Sequence, residues 1–352
     1  MPRTLYLHIG AHRTATTSTQ FYLDRNRDAL PARGVLYPMK VRRHLQTFNQ
    51  LFAEELTVAA VCDRLEADAD AAEAETGEPV HTIVLSDEDV AMRPDLSRLQ
   101  GFTERFDTRA IYSMRRQDIW LESWYFQNIK WQWIDGLSHA TFADFMARRA
   151  DFHWIDYDAV LTRLEALFGR DAVVPLVFET GQMPDGPVAA FCDAIGLTDR
   201  EGLQDAVHAN TSRSPQMAEF MRHLPLDQAP PQVRNALIHA CERVDRKVLG
   251  NTGKQSERIM PARQRRQVMA GFEPGNQAVA QRYFGRDRLF LDPLPGRLAS
   301  LARMALPKST DALMAQYVGP MLAELLAHDM IKPGTGKPQQ VDPAPRKPKT
   351  EP

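Results

Sequence analysis

Short apolar runs alternate with longer amphipathic stretches through the first half of the chain. Four runs have the composition and length of buried strands, at residues 3–10, 82–85, 109–114 and 173–178. A shorter extended segment, residues 35–37, lies between Gly34 and Pro38. The stretch after the first run has helical spacing through about Leu30, and so have the Ala-, Glu- and Asp-rich residues 50–75. Short strands that alternate with helices predict a parallel sheet.

The pattern becomes mostly helical from about residue 197. The stretches with helical periodicity are residues 215–224, 231–249 and 261–284. From about Lys332 the chain is rich in Pro, Lys, Gln and Gly without an apolar face, so this tail is predicted to be disordered. The predicted division is an α/β core over residues 1–200, a helical part packed on it over residues 201–331, and a disordered tail over residues 332–352.

Composition excludes several classes of protein. The 352 residues carry a net charge of −2, which indicates no surface for nucleic acid or for an anionic membrane. Cys62, Cys192 and Cys241 lie far apart and form neither a disulfide framework nor a zinc-binding pattern. No apolar run approaches the roughly 20 residues of a membrane helix, and a polar motif at His8 argues against a signal peptide. We expect a cytoplasmic protein with no metal, no nucleic-acid partner and no membrane insertion.

The first predicted strand runs into Gly10 and a short loop that precedes a helix. The first backbone N–H groups of a helix have no intrahelical partner, and the helix dipole places partial positive charge there. A phosphate or sulfate group fits such a position. The loop adds the guanidinium of Arg13 and the hydroxyl groups of Thr14, Thr16 and Thr17. These residues predict an anion site; the alternative is a strand–turn–helix connection without a ligand.

A second polar cluster follows the predicted strand at residues 109–114. Arg115 ends the strand, and Ser123, eight residues later, falls two turns into the next helix. The end of a strand and the first turns of the following helix can face the same ligand, so this pair predicts a second anion contact. The alternative is a surface arginine pair beside an ordinary helix serine, with Arg116 as a less favoured ligand.

Residues 8–18 resemble the 5′-phosphosulfate loop of sulfotransferases, in particular bacterial ones that read His-Ile-Gly-x-x-Lys-Thr-Gly-Thr-Thr-Ser. They do not form a Walker A motif, which ends in Gly-Lys-Ser/Thr. Arg13 stands where the family has lysine, and Ala15 where it has glycine. Arginine keeps the charge as a planar fork. Because alanine has a Cβ, we expect ordinary φ and ψ angles at Ala15. The spacing of Arg115 and Ser123 resembles the family's 3′-phosphate site.

Three later parts of the chain extend the resemblance: residues 177–179 with 191–197, residues 210–215, and residues 275–285. The resemblance implies a P-loop-like, three-layer α/β fold with a central parallel sheet, followed by a mostly helical C-terminal part. It implies 3′-phosphoadenosine 5′-phosphosulfate (PAPS) as the sulfuryl donor, with no metal. The implied reaction is in-line transfer of the sulfuryl group to a hydroxyl or amine of a small molecule or carbohydrate. Two alternatives stay open: a non-catalytic nucleotide-binding protein of the same fold, and a P-loop phosphotransferase.

The resemblance also implies a role for each site residue. Arg13 would stabilise the bridging oxygen as its bond to sulfur breaks. Arg115 and Ser123 would hold the 3′-phosphate. The residues implied to surround the 5′-phosphate, together with Arg13, are Gly10, Thr14, Ala15, Thr16 and Thr17.

Glu88 is implied to be the general base, because it follows the second predicted strand like the glutamate base of heparan-type sulfotransferases. Asp87, Asp89 and His12 are the alternatives. Since Ser and Asp are preferred helix caps, a cap surrounded by solvated acids is an equal interpretation of this acidic run. His8 lies within a predicted strand and is expected to be a buried core histidine.

All five tryptophans fall between Trp120 and Trp154. Trp120, Trp124 and Trp131 follow the i, i+4, i+11 spacing of a buried helical stripe. Aromatic rings beside a site can also stack on adenine or on a sugar. We predict that most of these rings are core residues and that one or two contact a ligand.

Overall fold

A five-stranded sheet, parallel throughout, forms the centre of the molecule, with the strand order β2-β3-β1-β4-β5. The structure is a computed structural model that describes residues 2–132, 134, 136–205, 213–251 and 258–327. The strands are β1 (Thr4–His8), β2 (Val35–Leu36), β3 (Thr82–Ser86), β4 (Asp107–Met114) and β5 (Val173–Val177). The predicted parallel sheet is therefore confirmed, and the short segment after Gly34 forms its edge strand.

Helices cover both faces of the sheet and follow it along the chain. In the first part they are α1 (Thr16–Arg25), α2 (Leu45–Phe52), α3 (Val58–Thr76), α4 (Gln117–Trp131), α5 (Phe142–Ala147), α6 (Tyr157–Phe168) and α7 (Gly186–Ala194). Later come α8 (Pro215–Arg222), α9 (Pro231–Lys247), α10 (Ala262–Phe284), α11 (Thr310–Leu313) and α12 (Gly319–Ala327). This arrangement confirms the α/β class with a mostly helical C-terminal part.

The alternation of side chains along β1 separates two apolar layers. Leu5 and Leu7 are buried with residues of α3, α4 and α6, whereas Tyr6 is buried on the opposite face with residues of α1 and α7. Successive side chains of a strand point to opposite faces, so one central strand contributes to both layers. The result is a three-layer arrangement of helices, sheet and helices.

Two predicted helical stretches end differently in the structure. The helix expected through Leu30 ends at Arg25, and residues 50–75 contain the end of α2, a break, and most of α3. The break has a local cause, because the side chain of Thr57 accepts a hydrogen bond from the backbone N–H of Ala60 at 3.1 Å and starts α3 afresh. The other expected helices and strands agree with the structure to within two residues.

A buried ionic network attaches α10 to α4. Arg265, only 1% exposed, donates to Asp118 at 2.6 Å and to Glu122 at 2.9 Å. Arg116 donates to the other oxygen of Asp118 at 2.7 Å. Arg116 is thus engaged in this network, whereas Ser123 of the same helix accepts a hydrogen bond from Arg13 in the N-terminal loop.

The proposed division of the chain at residues 200 and 331 stays a prediction, and the tail from residue 332 lies outside the described residues. Within the described part, α8 and α10 pack against α4, and α12 packs against α9. In the same part, none of the helices has both the length and the apolar character that crossing a bilayer requires.

Candidate anion-binding site

The predicted polar clusters meet at the carboxyl edge of the central strands. There β1 lies between β3 and β4 in the sheet. Beyond its last residue, the backbone N–H of Ile9 donates to Ile111 at 3.2 Å, and that of Asp87 donates to His8 at 3.0 Å. The loop after β1, the acidic turn after β3 and the arginine pair after β4 are therefore neighbours. This edge is where parallel α/β sheets bind their ligands.

Gly10 lies in close contact with the backbone of β4. A Cβ atom at Gly10 would lie 2.5 Å from the backbone nitrogen of Ser113. Because any side chain would push the loop away from β4, the glycine fixes the depth at which the loop crosses the sheet edge. A direct role for Gly10 in ligand binding stays a prediction.

The loop backbone is left-handed at two positions, which corrects the expectation for Ala15. Ala15 has φ 62° and ψ 17°, and Arg13 has φ 68°. The turn is held by the Thr14 hydroxyl, which donates to the carbonyl of Ala11 at 2.6 Å, and Ala15 then accepts the first helical hydrogen bond, from Thr19, at 3.1 Å. The chain must reverse within a few residues between β1 and α1, and this requirement outweighs the steric cost of a Cβ in the left-handed region. Turns of this kind make backbone concavities that bind anions.

No side chain caps the N-terminus of α1 among the described residues. Thr14 and Thr16 are buried, and Thr17 is half-buried. The N–H groups of the first turn therefore have neither an intrahelical acceptor nor a capping side chain, which is the arrangement that favours an anion.

Two arginines distant in sequence converge on one hydroxyl. Arg13 donates through Nε to Ser123 Oγ at 2.6 Å, and Arg115 donates through Nη1 to the same oxygen at 3.3 Å. Arg115 also donates to the carbonyl oxygen of Arg13 at 2.8 Å. The phenolic oxygen of Tyr157 accepts the backbone N–H of Arg115 at 3.0 Å and fixes the point where β4 ends. The structure thus brings both predicted clusters together around Ser123.

Gln127 is a member of this cluster that the sequence reasoning missed. Its Oε1 accepts a hydrogen bond from Arg13 Nη1 at 3.1 Å. The available signal was its position four residues after Ser123, since residues at i and i+4 share a helix face. Ser123 and Gln127 together hold the Arg13 guanidinium along the side of α4.

The acidic run after β3 forms a partly neutralised cluster with Arg43. Its guanidinium lies 2.5 Å from Asp87, 2.7 Å from Asp89 and 3.4 Å from Glu88. Glu88 is also held by Gln20, which donates to its Oε2 at 2.8 Å. Neither Arg43 nor Gln20 carried a sequence signal, because each contact joins residues more than 40 positions apart.

The carboxylates of Asp87 and Asp89 have different environments. Burial raises the pKa of Asp87 to about 6 despite Arg43, and Asp87 Oδ1 accepts the backbone N–H of Asp89 at 2.9 Å, which makes Asp87 the cap of the following turn. Burial opposes the charged form of Asp89 as well, but its hydrogen bond with His12 and the charge of Arg43 lower its pKa to about 2. The capping interpretation therefore applies to Asp87.

His12 connects the loop to this acidic turn. Its Nε2 lies 2.7 Å from Asp89 Oδ1, and its Nδ1 faces Glu88 Oε1 at 4.0 Å. The ring packs 4.9 Å from that of Trp124, and the backbone oxygen of His12 accepts the indole N–H of Trp120 at 2.8 Å. His12 and Glu88 are thus neighbours, and their roles as alternative bases stay predictions.

The aromatic residues are mainly core residues, as predicted. Trp120 and Trp124 are buried and stack with ring centroids 5.4 Å apart, and Trp154 is buried beside them. Trp133 lies outside the described residues. His8 is buried too, with Nδ1 2.9 Å from Ser86 Oγ, so the expectation of a buried core histidine is confirmed. Burial lowers the pKa of His8 to about 4.

No group of three His, Cys, Asp or Glu side chains is placed to hold a metal ion in the described part of the chain. Arg13, Arg115 and Arg43 bring positive charge to the site. Of the residues that extend the sequence resemblance, positions 210–212 lie outside the described part.

Comparison with known proteins gives distant likenesses. No protein-family model matches the chain. A protein of Archaeoglobus fulgidus, named only as uncharacterized, is 23% identical over 186 residues, which cover 52% of this chain and 48% of that protein. The chain therefore matches about half the length of this relative. A crystal structure of a sulfotransferase from Alicyclobacillus acidocaldarius aligns with 68% of this chain and 97% of that one, at 18% identity and a TM-score of 0.38. At these values neither likeness assigns a family.

Proposed function

We propose that this protein is a sulfotransferase that moves a sulfuryl group from PAPS to a hydroxyl or amine acceptor. The observation that carries the proposal is the convergence of Arg13 and Arg115 on Ser123 Oγ. A donor with phosphate groups at its 5′ and 3′ positions needs two cation-bearing sites side by side. Here the loop after β1 offers one and the end of β4 offers the other.

The groups of the first loop suit the 5′-phosphosulfate. The uncapped N–H groups of α1 and the hydroxyls of Thr14, Thr16 and Thr17 would hold the phosphate. Arg13 would stabilise the oxygen that bridges phosphate and sulfur as the S–O bond breaks. Arg115 and Ser123 would hold the 3′-phosphate and so select PAPS over nucleotides that lack it.

The reaction would form one bond and break one. The acceptor oxygen or nitrogen bonds to sulfur while the bond between sulfur and the bridging oxygen breaks, and 3′-phosphoadenosine 5′-phosphate (PAP) leaves. The proton of the acceptor passes to a base. Glu88 is our assignment for that base, because its Oε1 faces the loop while its Oε2 is held by Gln20, and His12 is the alternative.

A non-catalytic nucleotide-binding protein is the second candidate. It is favoured by one observation, the engagement of the Arg13 guanidinium by Ser123 and Gln127 on α4. In that case the nucleotide would bind, but Arg13 would stay on α4 and leave the bridging oxygen without its cation.

Calorimetric titration tests the donor site. We expect the protein to bind PAP with micromolar affinity and to bind ATP with magnesium much more weakly. Arg115→Ala should weaken PAP binding about 10- to 100-fold, since a charge-assisted hydrogen bond to phosphate is lost, and should leave the weak binding of AMP unchanged. Arg109→Ala, which removes a half-buried arginine paired with Asp107 on the same strand, is the matched control and should bind PAP normally.

Absence of PAP binding by the folded wild-type protein would overturn the proposal. Equal losses of PAP and AMP affinity in Arg115→Ala would reject the assigned 3′-phosphate contact. Turnover of PAPS to PAP, measured with a panel of acceptors, separates transfer from binding alone.

A further inference from the structure

The polar face of α4 continues beyond the residues that hold Arg13. Ser123, Gln127 and Lys130 are spaced i, i+4 and i+7 and so lie along one side of the helix. The first two accept hydrogen bonds from Arg13. Lys130 follows one turn later, with its ammonium 4.6 Å from the centre of the Trp131 ring and 3.9 Å from Glu242 Oε1.

Arg213 reaches the same place from the segment before α8. Its side chain is 12% exposed, and its Nη2 pairs with Glu242 Oε1, the oxygen that Lys130 also approaches. The Nε of Arg213 is buried and finds no hydrogen-bond acceptor among the described residues. Two mostly buried cations therefore share one carboxylate oxygen.

Asp245 adds a second negative charge that acts on Arg213, but its carboxylate is engaged by other groups. The carboxylate of Asp245 accepts from the backbone N–H and the hydroxyl of Ser214, and from Asn251 at 2.7 Å. His239 competes for Glu242, with its Nδ1 3.0 Å from Glu242 Oε2. Arg13 adds a further positive charge from the loop side.

The excess of positive charge affects the pKa values of both cations. Burial, together with the charges of Arg213 and Arg13, lowers the pKa of Lys130 to about 8, although Glu242 acts in the opposite direction. Burial likewise lowers the pKa of Arg213. Cations whose charged forms are disfavoured in this way are stabilised when an anion binds between them.

We propose that Lys130 and Arg213 form an oxyanion subsite beside Arg13, distinct from the Arg115–Ser123 pair, that binds a phosphate, sulfate or carboxylate group. The unpartnered Nε–H of Arg213 is the donor that such a group would satisfy. The group is carried either by the nucleotide or by the acceptor. If the acceptor carries it, the protein selects acceptors that are already anionic.

Calorimetry with two probes, PAP and inorganic sulfate, distinguishes the two sources. If the nucleotide occupies the subsite, Lys130→Met weakens PAP binding about 10- to 100-fold. If the acceptor occupies it, Lys130→Met leaves PAP binding unchanged but removes the binding of sulfate to the PAP-saturated protein. Lys247→Met, which removes an exposed lysine paired with Glu324, is the matched control and should change neither titration.

Proton uptake gives a second readout. Bound anion raises the pKa of Lys130, so binding at pH 8.5 should take up as much as about 0.7 proton, measured in buffers of different ionisation enthalpy. Sulfate is suitable because it does not titrate in this range. Lys130→Met should abolish the uptake.

Glu242→Gln keeps the proposal testable should Lys130→Met fold poorly. Removing the shared carboxylate should strengthen sulfate binding several-fold, whereas a purely structural ion cluster would show no gain. Sulfate and PAP affinities and proton uptake that stay unchanged in both Lys130→Met and Glu242→Gln would overturn the proposal. If the wild type binds sulfate through Lys130 but does not bind PAP, the subsite stands and the proposed sulfotransferase function fails.

Discussion

Glu88 and His12 are the two residues that we propose as candidates for the proton acceptor, and their surroundings differ. Glu88 is buried and fixed at one oxygen by Gln20, while its other oxygen faces the loop. His12 places Nε2 2.7 Å from Asp89 Oδ1 and Nδ1 4.0 Å from Glu88 Oε1. A general base needs a fixed orientation and a lone pair that can face the acceptor, and we therefore propose Oε1 of Glu88, the oxygen on the loop side, for this role.

Glu88→Gln should leave the affinity for PAP within about twofold and lower the turnover of PAPS by about 10²- to 10⁴-fold, because the amide keeps the shape but cannot take a proton. The measurement is the initial rate of PAP formation from PAPS across a pH series, with PAP affinity from calorimetry. Glutamine at this position can still accept the hydrogen bond from Gln20, so the fold should be retained.

His12→Gln is the companion variant in the same assay. With Glu88 as the base, His12→Gln should reduce turnover by less than Glu88→Gln does and should not change the shape of the pH profile. If His12→Gln reduced turnover more than Glu88→Gln does, and if it alone removed the fall of turnover on the acidic side of the pH profile, His12 would be the base.

At the scale of elements, the junction between β1 and α1 carries a local strain. Ala15 adopts a left-handed conformation that costs an L-amino acid about 1–2 kcal/mol relative to the right-handed region. Glycine adopts the same conformation without that cost but loses more conformational entropy on folding. The two effects oppose each other, and the steric one is larger.

Ala15→Gly should therefore raise the free energy of unfolding by about 0.5–1 kcal/mol, measured by urea denaturation. Ala67→Gly is the control, since Ala67 is exposed in the middle of α3 and glycine there should lower stability by about 1 kcal/mol. A destabilised Ala15→Gly protein would mean that the left-handed geometry of the loop is not strained at this residue.

This junction also illustrates which features of the fold the sequence predicts. The order of β1, loop and α1 follows from the apolar run and the glycine, and the burial of Trp120 and Trp124 follows from their helical spacing. The φ angle of Ala15 does not, because it results from closing a turn between two packed elements. The meeting of Arg13 with Gln127, and of Arg43 with the acidic turn, depends on tertiary packing across 114 and 44 residues and leaves no local pattern.

At the scale of the whole molecule, charge is neutralised by pairs that connect elements distant in the chain. Arg265 of α10 binds Asp118 and Glu122 of α4, and Arg43 joins the segment before α2 to the turn after β3. Such pairs fix the relative positions of elements more than they add stability, because burying ions has its own cost. The buried histidines, in contrast, make the stability of the protein depend on pH.

Stability should fall as the pH is lowered from about 6.5 to 4, because two histidines are buried in the neutral form. Burial lowers the pKa of His8 and of His44 to about 4, and His44 accepts the backbone N–H of Ser86 through Nδ1 at 3.0 Å. A base whose folded pKa lies below its unfolded value contributes stability above the unfolded pKa and loses it as the pH falls toward the folded pKa, here about 3 kcal/mol per histidine at pH 4. Asp87, with its pKa raised to about 6, has the opposite sign and offsets roughly one of the two. The net expectation is a loss of about 3 kcal/mol in the free energy of unfolding between pH 7 and pH 4, measured by urea denaturation at each pH.

Two variants test the assignment to buried histidines. His44→Gln should flatten the dependence of stability on pH, and His223→Gln, at an exposed position, should leave it unchanged. A wild-type profile that is flat across this range would contradict the burial of both rings in the neutral form.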